Sequence, residues 1–300
     1  MNLQQAYYEQ KFENVFLRAK GNVFQELFEK LMGLAYKADF MACRPWGKRG
    51  DRKNDGFLKS KRQLFQVYAP NEMSESKVIT KIREDFNGAK AYWGKYFDKW
   101  AFVHNAVGGL PPHVQTVLLD FENENPGITV ESWGLEELRG IFRKLTPEDM
   151  QSWFGNAPTA ETKAKLGFKD LQVVLETLAD GSALSDQPMR DVPRGKIEAN
   201  ALSESVAILL KEGMSKAPLI EDFFRKWHDA TLGERIAKSF RAKYESLRGS
   251  LTPNQVFAEL QTWAGGANRG TPEHELAVLT VMAYYFECCD IFEEPRSCQS

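Results

Sequence analysis

The sequence is short of several things. No apolar run approaches the roughly 18 residues that a membrane-spanning helix needs. The opening Met1-Asn2-Leu3-Gln4-Gln5 is polar and has no signal-peptide pattern. Together these set the expectation of a cytoplasmic protein with no membrane contact. Cysteine is scarce, with only Cys43, Cys288, Cys289 and Cys298, and no CxxC. Adjacent cysteines cannot form a relaxed bridge with each other, so a disulfide framework is not expected. Only four histidines are present, none at ligand spacing to another His or Cys, which argues against a structural zinc site. There is no GxxxxGK[ST] and no GxGxxG after a strand, so any ATP chemistry must belong to a partner. Internal repeats and low-complexity segments are also lacking.

Strong net charge is absent too. Lys and Arg total 39 against 41 Asp and Glu, a formal charge of −2, so the chain as a whole is no basic nucleic-acid sponge. The distribution is less even. Between Arg44 and Arg62 eight basic residues (Arg44, Lys48, Arg49, Arg52, Lys53, Lys59, Lys61, Arg62) face two acids, Asp51 and Asp55. What is plentiful is aromatic surface: 20 Phe, 9 Tyr and 7 Trp, enough for well-packed cores. A length of 300 residues suggests two domains, or one large one.

Periodicity divides the chain. The first 36 residues read as helix, with a break at Gly21 and an apolar stripe Phe24, Leu27, Phe28, Leu31 at i, i+3, i+4, i+7. Strand-like runs follow at 39–44, 56–58 and 63–69, then a helix over 74–97 with Val78, Ile82 and Phe86 on one face. A buried strand is expected at 99–105, a helix from the Gly-Gly-Leu-Pro-Pro turn to about Phe121, a strand at 127–133 and a helix at 135–145. Thr146-Pro147 starts another helix. From about residue 155 strand signals vanish. Stretches 155–165 and 180–194 read as linkers. Thr252-Pro253 and Thr271-Pro272 repeat the helix-start signature, and the final helix, about 273–292, is apolar nearly all round, which marks burial on several sides. The expected fold class is α+β: an αβββαβ core within residues 1–155, then an all-α domain over 156–300.

One constellation carries chemistry. Gly50-Asp51-Arg52-Lys53-Asn54-Asp55-Gly56-Phe57 is followed by Phe65-Gln66-Val67-Tyr68-Ala69-Pro70. Metal-dependent phosphodiester cleavage uses a carboxylate to hold a hard cation, a second oxygen ligand on a neighbouring strand, and commonly a lysine to orient water and steady charge. Gln66 and Tyr68 share a strand face, so both can flank one ion. This layout resembles the PD-(D/E)xK nucleases, and within them the Mrr-like restriction enzymes, over roughly residues 21–105. The resemblance implies a restriction-endonuclease-like core with Asp55 and Gln66 as ligands of Mg²⁺ or Mn²⁺. Two positions depart from the pattern. Gln25 stands where a helix glutamate is expected, with Glu26 adjacent, and Tyr68 stands where the lysine is expected. Gln supplies no anionic charge, and a tyrosine of pKa about 10 is neutral at pH 7. Lys77 and Lys81 on the following helix are the first candidates for the missing cation, Lys53 and Lys59 the second. An active site and a degenerate nucleic-acid-binding remnant both remain open. So does a plain solvated hairpin turn without chemistry.

The basic residues Arg44, Lys48, Arg49, Arg52, Lys53 and Lys59 lie beside this turn, where a DNA backbone would run. Lysines and arginines in loops are otherwise usually just solvated. Trp46 could stack on a base or be buried. His104 ends a strand, where a histidine serves as ligand or base, or more often only hydrogen-bonds within the fold.

Two further stretches resemble the tails of bacterial ABC-three-component defence proteins, related to Lamassu systems, over about residues 200–295. One is Ala277-Val278-Leu279 with Met282-Ala283-Tyr284-Tyr285-Phe286-Glu287-Cys288-Cys289-Asp290-Ile291-Phe292-Glu293. The other is Ile236-Ala237 with Phe240, Tyr244 and Leu247, then Val256-Phe257 and Leu260. The Asn-Asp-Gly-Phe and Phe-Gln-Val-Tyr-Ala-Pro runs with Phe-Val-His-Asn and Gly-Leu-Pro-Pro also look like effector components of such systems. That resemblance implies antiphage defence on double-stranded DNA, beside an SMC- or Rad50-like ABC ATPase and a small middle component. The effector would be held through its C-terminal helical domain. A catalytically inactive DNA-binding or scaffolding subunit, a stand-alone restriction-type enzyme, and a helical bundle without a partner are the alternatives.

Overall fold

The computed structural model describes residues 1–43, 53–179, 195–266, 270–288 and 291–293. The chain forms two compact units, Val15–Asp149 and Met1–Asn14 with Met150–Ser300. The fold is α+β, with a small mixed sheet near the N-terminus and helices elsewhere.

The first unit holds the end of helix α1 (Leu3–Arg18), then α2 (Gly21–Tyr36), β1 (Phe40–Ala42), β2 (Gly56–Leu58), β3 (Gln63–Tyr68), α3 (Glu75–Trp93), β4 (Lys99–His104), α4 (Pro112–Glu124), β5 (Thr129–Trp133) and α5 (Leu135–Phe142). This is the element order expected from periodicity. The five strands lie in sequence order, β1 to β3 antiparallel and β3 to β5 parallel. The parallel steps need crossovers, which α3 and α4 supply.

Both sheet faces are covered, so the central strands are apolar rather than alternating. On one face α3 and α4 bury Val78, Ile82, Phe86, Val114 and Phe121 against Leu64, Trp100 and Phe102. On the other, Phe28 of α2 meets Phe40 and Phe65 with ring centroids 5.9 and 5.3 Å apart. Gly56 is required there, since a Cβ would come within 2.6 Å of the Phe40 ring.

The second unit is helical: it holds most of α1, most of α6 (Pro147–Phe154), and α7 (Ala160–Lys165), α8 (Phe168–Ala179), α9 (Lys196–Ala199), α10 (Glu204–Met214), α11 (Ala217–Lys226), α12 (Leu232–Arg248), α13 (Pro253–Gly265) and α14 (Pro272–Glu287). Its centre is α14, in which every residue from His274 to Phe286 is buried. Neighbours on several sides explain why this helix is apolar all round. The Thr-Pro starts are real caps: Thr252 accepts from the Gln255 amide and Thr271 from the His274 amide. One expectation needs correcting. Residues 155–165 are not all linker, because α7 occupies the second half, started by Thr159 and Thr162 capping each other. The stretch 180–194 lies outside the described residues.

Among the described residues no helix is long and apolar enough to cross a membrane.

Candidate functional site

Asp55 is the residue just ahead of β2. Its own amide bonds to the Phe65 carbonyl at 2.9 Å, which seats it beside Gln66 on β3. The carboxylate is buried. Its Oδ2 accepts from the Gln66 side-chain amide and from the Val67 backbone amide, both at 2.7 Å. Its Oδ1 accepts from the Gln25 amide of α2 at 3.2 Å, and the same Gln25 nitrogen reaches Glu29 at 3.1 Å. The α2 side chain at Asp55 is therefore Gln25, while Glu26 is exposed.

Three buried polar atoms here have no hydrogen-bond partner: Gln66 Oε1 and both amide atoms of Asn54, which is fully buried. Leaving a buried polar atom unsatisfied costs about 1–3 kcal/mol, so the cluster is expensive unless something else engages it. The oxygen and nitrogen of a carboxamide exchange places by a half-turn, so Gln66 can offer either atom to Asp55's neighbourhood. Hard oxygen donors of this kind suit Mg²⁺ or Mn²⁺ rather than zinc, and on that chemistry the residues fit such an ion. The charge is thin. Among the described residues no three His, Cys, Asp or Glu side chains group as a metal site, and the carboxylate next to Asp55, that of Glu29, is reached through the shared Gln25 nitrogen.

Tyr68, two residues on from Gln66, is half-buried, its ring 6.0 Å from that of Phe102. It lines a cavity of about 310 Å³ with Ser76, Lys77, Thr80, Lys81 and Glu84 of α3. The structure thus brings Lys77 and Lys81 to the residue standing in the lysine position. Lys81 also donates to Asp85 Oδ1 at 3.0 Å and forms an ion pair with that carboxylate, and Lys53 meets the same carboxylate at 2.9 Å. Lys59 sits exposed in the turn after β2. Arg44, Trp46, Lys48, Arg49 and Arg52 lie outside the described residues.

His104 ends β4 and is buried. Its Nδ1 accepts from the Ala106 amide at 3.2 Å, so the proton sits on Nε2, 3.1 Å from the Ser132 hydroxyl. Burial pushes its pKa down to about 4, while the Glu137 carboxylate pulls the other way. A cavity of about 560 Å³ opens beside it at the carboxyl ends of β4 and β5.

In the helical unit the last described residue, Glu293, is held by reciprocal 2.8 Å bonds with Asn200 and by Tyr244 and Arg248. Burial, with Glu293 adding to it, pushes the Tyr244 hydroxyl up to about 12. The Lys196 ammonium is buried against the C-terminus of α14, 2.9 Å from the Phe286 carbonyl and 4.7 Å from its ring centroid. This packing of α8 to α14 and the tail defines one structural module.

Residues 169–293 match the family model for C-terminal domain 10 of the ABC-three component (ABC-3C) systems. The match supports membership of the chain in such a system, and with it partnering with other system components. It spans α8 to the Glu293 clamp and leaves the sheet-bearing unit untouched. No curated protein and no solved structure gave a match.

Sequence reasoning missed two residues here. Asp85 carries a clear signal: it occupies a position of the apolar stripe Val78, Ile82, Phe86, Ala89, where a charge must find partners. Asn54 carries none beyond its place in the turn.

Proposed function

We propose that the chain is the effector of an ABC-3C antiphage defence complex. In this reading the Val15–Asp149 unit is a restriction-endonuclease-like domain that engages double-stranded DNA, and the helical unit holds it to an SMC- or Rad50-like ABC ATPase and a small middle component. The observation that carries the first half is the seat of Asp55 against Gln66, within an αβββαβ order whose sheet runs antiparallel and then parallel. The ABC-3C match carries the second half.

Asp55 and Gln66 would hold the Mg²⁺ or Mn²⁺ of a metal-dependent endonuclease. Such an ion activates water and neutralises charge on the phosphate. The protein's own share is orientation. Asp55 is fixed by three N–H donors, Tyr68 supplies a hydroxyl, and Lys77 and Lys81 supply positive charge from α3 where the strand has none.

A second reading is a binding subunit that no longer cuts. It is favoured by Tyr68 in the lysine position and by the engagement of both Asp55 oxygens with N–H donors.

The test is plasmid cleavage with Mg²⁺ or Mn²⁺ by the chain alone and with its co-expressed neighbours. Nicking that disappears in Asp55→Asn supports the nuclease. DNA retention without nicking in every mixture selects the binding subunit. Absence of both cleavage and DNA binding sinks the proposal for this unit. Co-purification of an ABC ATPase with the full chain checks the other half.

A further inference from the structure

A carboxylate in the core of α3 is costly unless it is paired, and a fully buried charge survives only with good partners. Asp85 is fully buried and has two: Lys81, one helical turn before it on α3, and Lys53, from the turn ahead of β2. The second partner is reached at some expense. Lys53 has a φ of +61°, a left-handed conformation that side chains other than Gly, Asn and Asp seldom adopt. Its stem then crosses α3 at Gly88, where a Cβ would stand 2.7 Å from Lys53 Cγ. Glycine inside a helix costs about 1 kcal/mol relative to alanine. A buried acid, a strained backbone and a helix-weakening glycine thus converge on one result, two ammonium groups held side by side.

The place where Lys81 is held is informative. Lys81 lines the cavity of about 310 Å³ that Tyr68, Ser76, Thr80 and Lys77 also line. An ammonium has three N–H donors and no acceptor. Lys77 and Lys81 outnumber the one carboxylate in the wall, Glu84. Side chains that carry hydroxyl and ammonium groups around a small open cavity suit a tetrahedral oxyanion.

We propose that Tyr68, Ser76, Thr80, Lys77 and Lys81 form a phosphate-binding pocket, and that Asp85, itself paired with Lys53, is the positioning residue that fixes Lys81 at its wall. The source is a phosphodiester of the nucleic-acid backbone. In that respect the proposal rests on the nucleic-acid reading of this unit, and it names the contact that reading lacks. Asp85 touches no ligand. It acts through Lys81.

The experiment uses the full chain. Inorganic phosphate is titrated while NMR follows residues 68–84, and a fluorescent DNA duplex and ATP are titrated separately at several salt concentrations. Phosphate is expected to shift Ser76, Thr80 and Lys81. Lys81→Gln should weaken duplex binding about tenfold and lower the salt slope by about one. Asp85→Asn gives a test by sign. It adds one positive charge, so simple electrostatics predicts tighter binding, whereas a positioning role predicts weaker binding. Lys53→Gln leaves the Lys81–Asp85 pair in place and is a second, gentler test if Asp85→Asn fails to fold. It should weaken binding less than Lys81→Gln. The proposal is overturned if Lys81→Gln changes neither the phosphate shifts nor the salt slope, or if Asp85→Asn binds more tightly. Phosphate or ATP binding without duplex binding would keep the pocket and remove its nucleic-acid source. Duplex binding indifferent to every pocket variant would remove the pocket and leave the domain reading standing.

Discussion

The Gln66 side-chain amide donates to Asp55 Oδ2 at 2.7 Å, from the strand beside the one that Asp55 leads into. With the Val67 amide and Gln25 it makes Asp55 the acceptor for three N–H groups. Asp55→Ala strands the Gln66 and Val67 donors, while Gln25 keeps Glu29, and the sheet unit should lose about 2–4 kcal/mol, given roughly 1–3 kcal/mol per unsatisfied buried group with partial relaxation. Asp55→Asn keeps one oxygen acceptor and should lose less. Urea unfolding followed by tryptophan fluorescence measures both. Millimolar Mn²⁺ should raise the melting temperature of the wild type and leave Asp55→Asn unmoved, since binding to the folded state stabilises it. Equal shifts in the two proteins would remove Asp55 from any cation site.

Tyr68→Lys places an ammonium on the strand face that Gln66 shares. The exchange gives up a ring 6.0 Å from Phe102, at a cost of about 1 kcal/mol in lost aromatic packing. It should nonetheless raise metal-dependent plasmid nicking above the wild-type level, and adding Asp55→Asn should abolish the gain. Unchanged nicking in the presence of Mn²⁺ would show that a strand lysine is not what the site lacks.

How much of this was legible in the sequence follows from where each signal lives. Strands β2, β3 and β4 are short apolar runs between turn residues, and the caps at Thr252 and Thr271 are local chemistry, so both could be read directly. Helix α7 was missed because Ala-Glu-Thr-Lys-Ala-Lys has no apolar periodicity. Its start depends on hydrogen bonds between Thr159 and Thr162. The choice between Gln25 and Glu26 could not be made either, because adjacent helix positions differ by about 100° and only the packing of α2 on the sheet decides which faces Asp55. The lysine question was harder still. The route from Lys53 to Asp85 depends on a left-handed turn residue and a gap at Gly88, and neither leaves a trace in spacing.

His104 makes the sheet unit sensitive to acid. Its pKa falls from an ordinary 6.5 to about 4 on folding because burial disfavours the imidazolium. Between those values the unfolded chain binds a proton that the folded one does not. The contribution is therefore complete above pH 6.5 and is lost as pH falls toward 4. The full difference corresponds to about 3 kcal/mol at 1.36 kcal/mol per pKa unit. His104→Asn should flatten the stability profile between pH 4 and 6.5, measured by urea unfolding at several pH values. A wild-type profile already flat in that window would refute the assignment.

Two glycines in helices offer a paired test, one in the ABC-3C-like module and one in the sheet unit. Gly213 near the end of α10 faces α14 so closely that a Cβ would stand 2.6 Å from the Leu279 carbonyl oxygen and 2.8 Å from Ala283 Cβ. The obstacle is backbone, which cannot swing aside as a side chain would. Gly213→Ala gains helix propensity, but it must push α10 off α14, and overpacking of this kind costs about 1–3 kcal/mol. Gly140 in α5 has nothing within 4 Å of its Cβ position. Gly140→Ala should therefore stabilise the sheet unit by about 0.5–1 kcal/mol. Because α14 is the buried centre of residues 169–293, Gly213→Ala should also reduce co-purification of system partners while DNA binding is kept. Partner recovery equal to wild type in a Gly213→Ala protein shown to be destabilised would mean that docking does not depend on the close approach of α10 to α14.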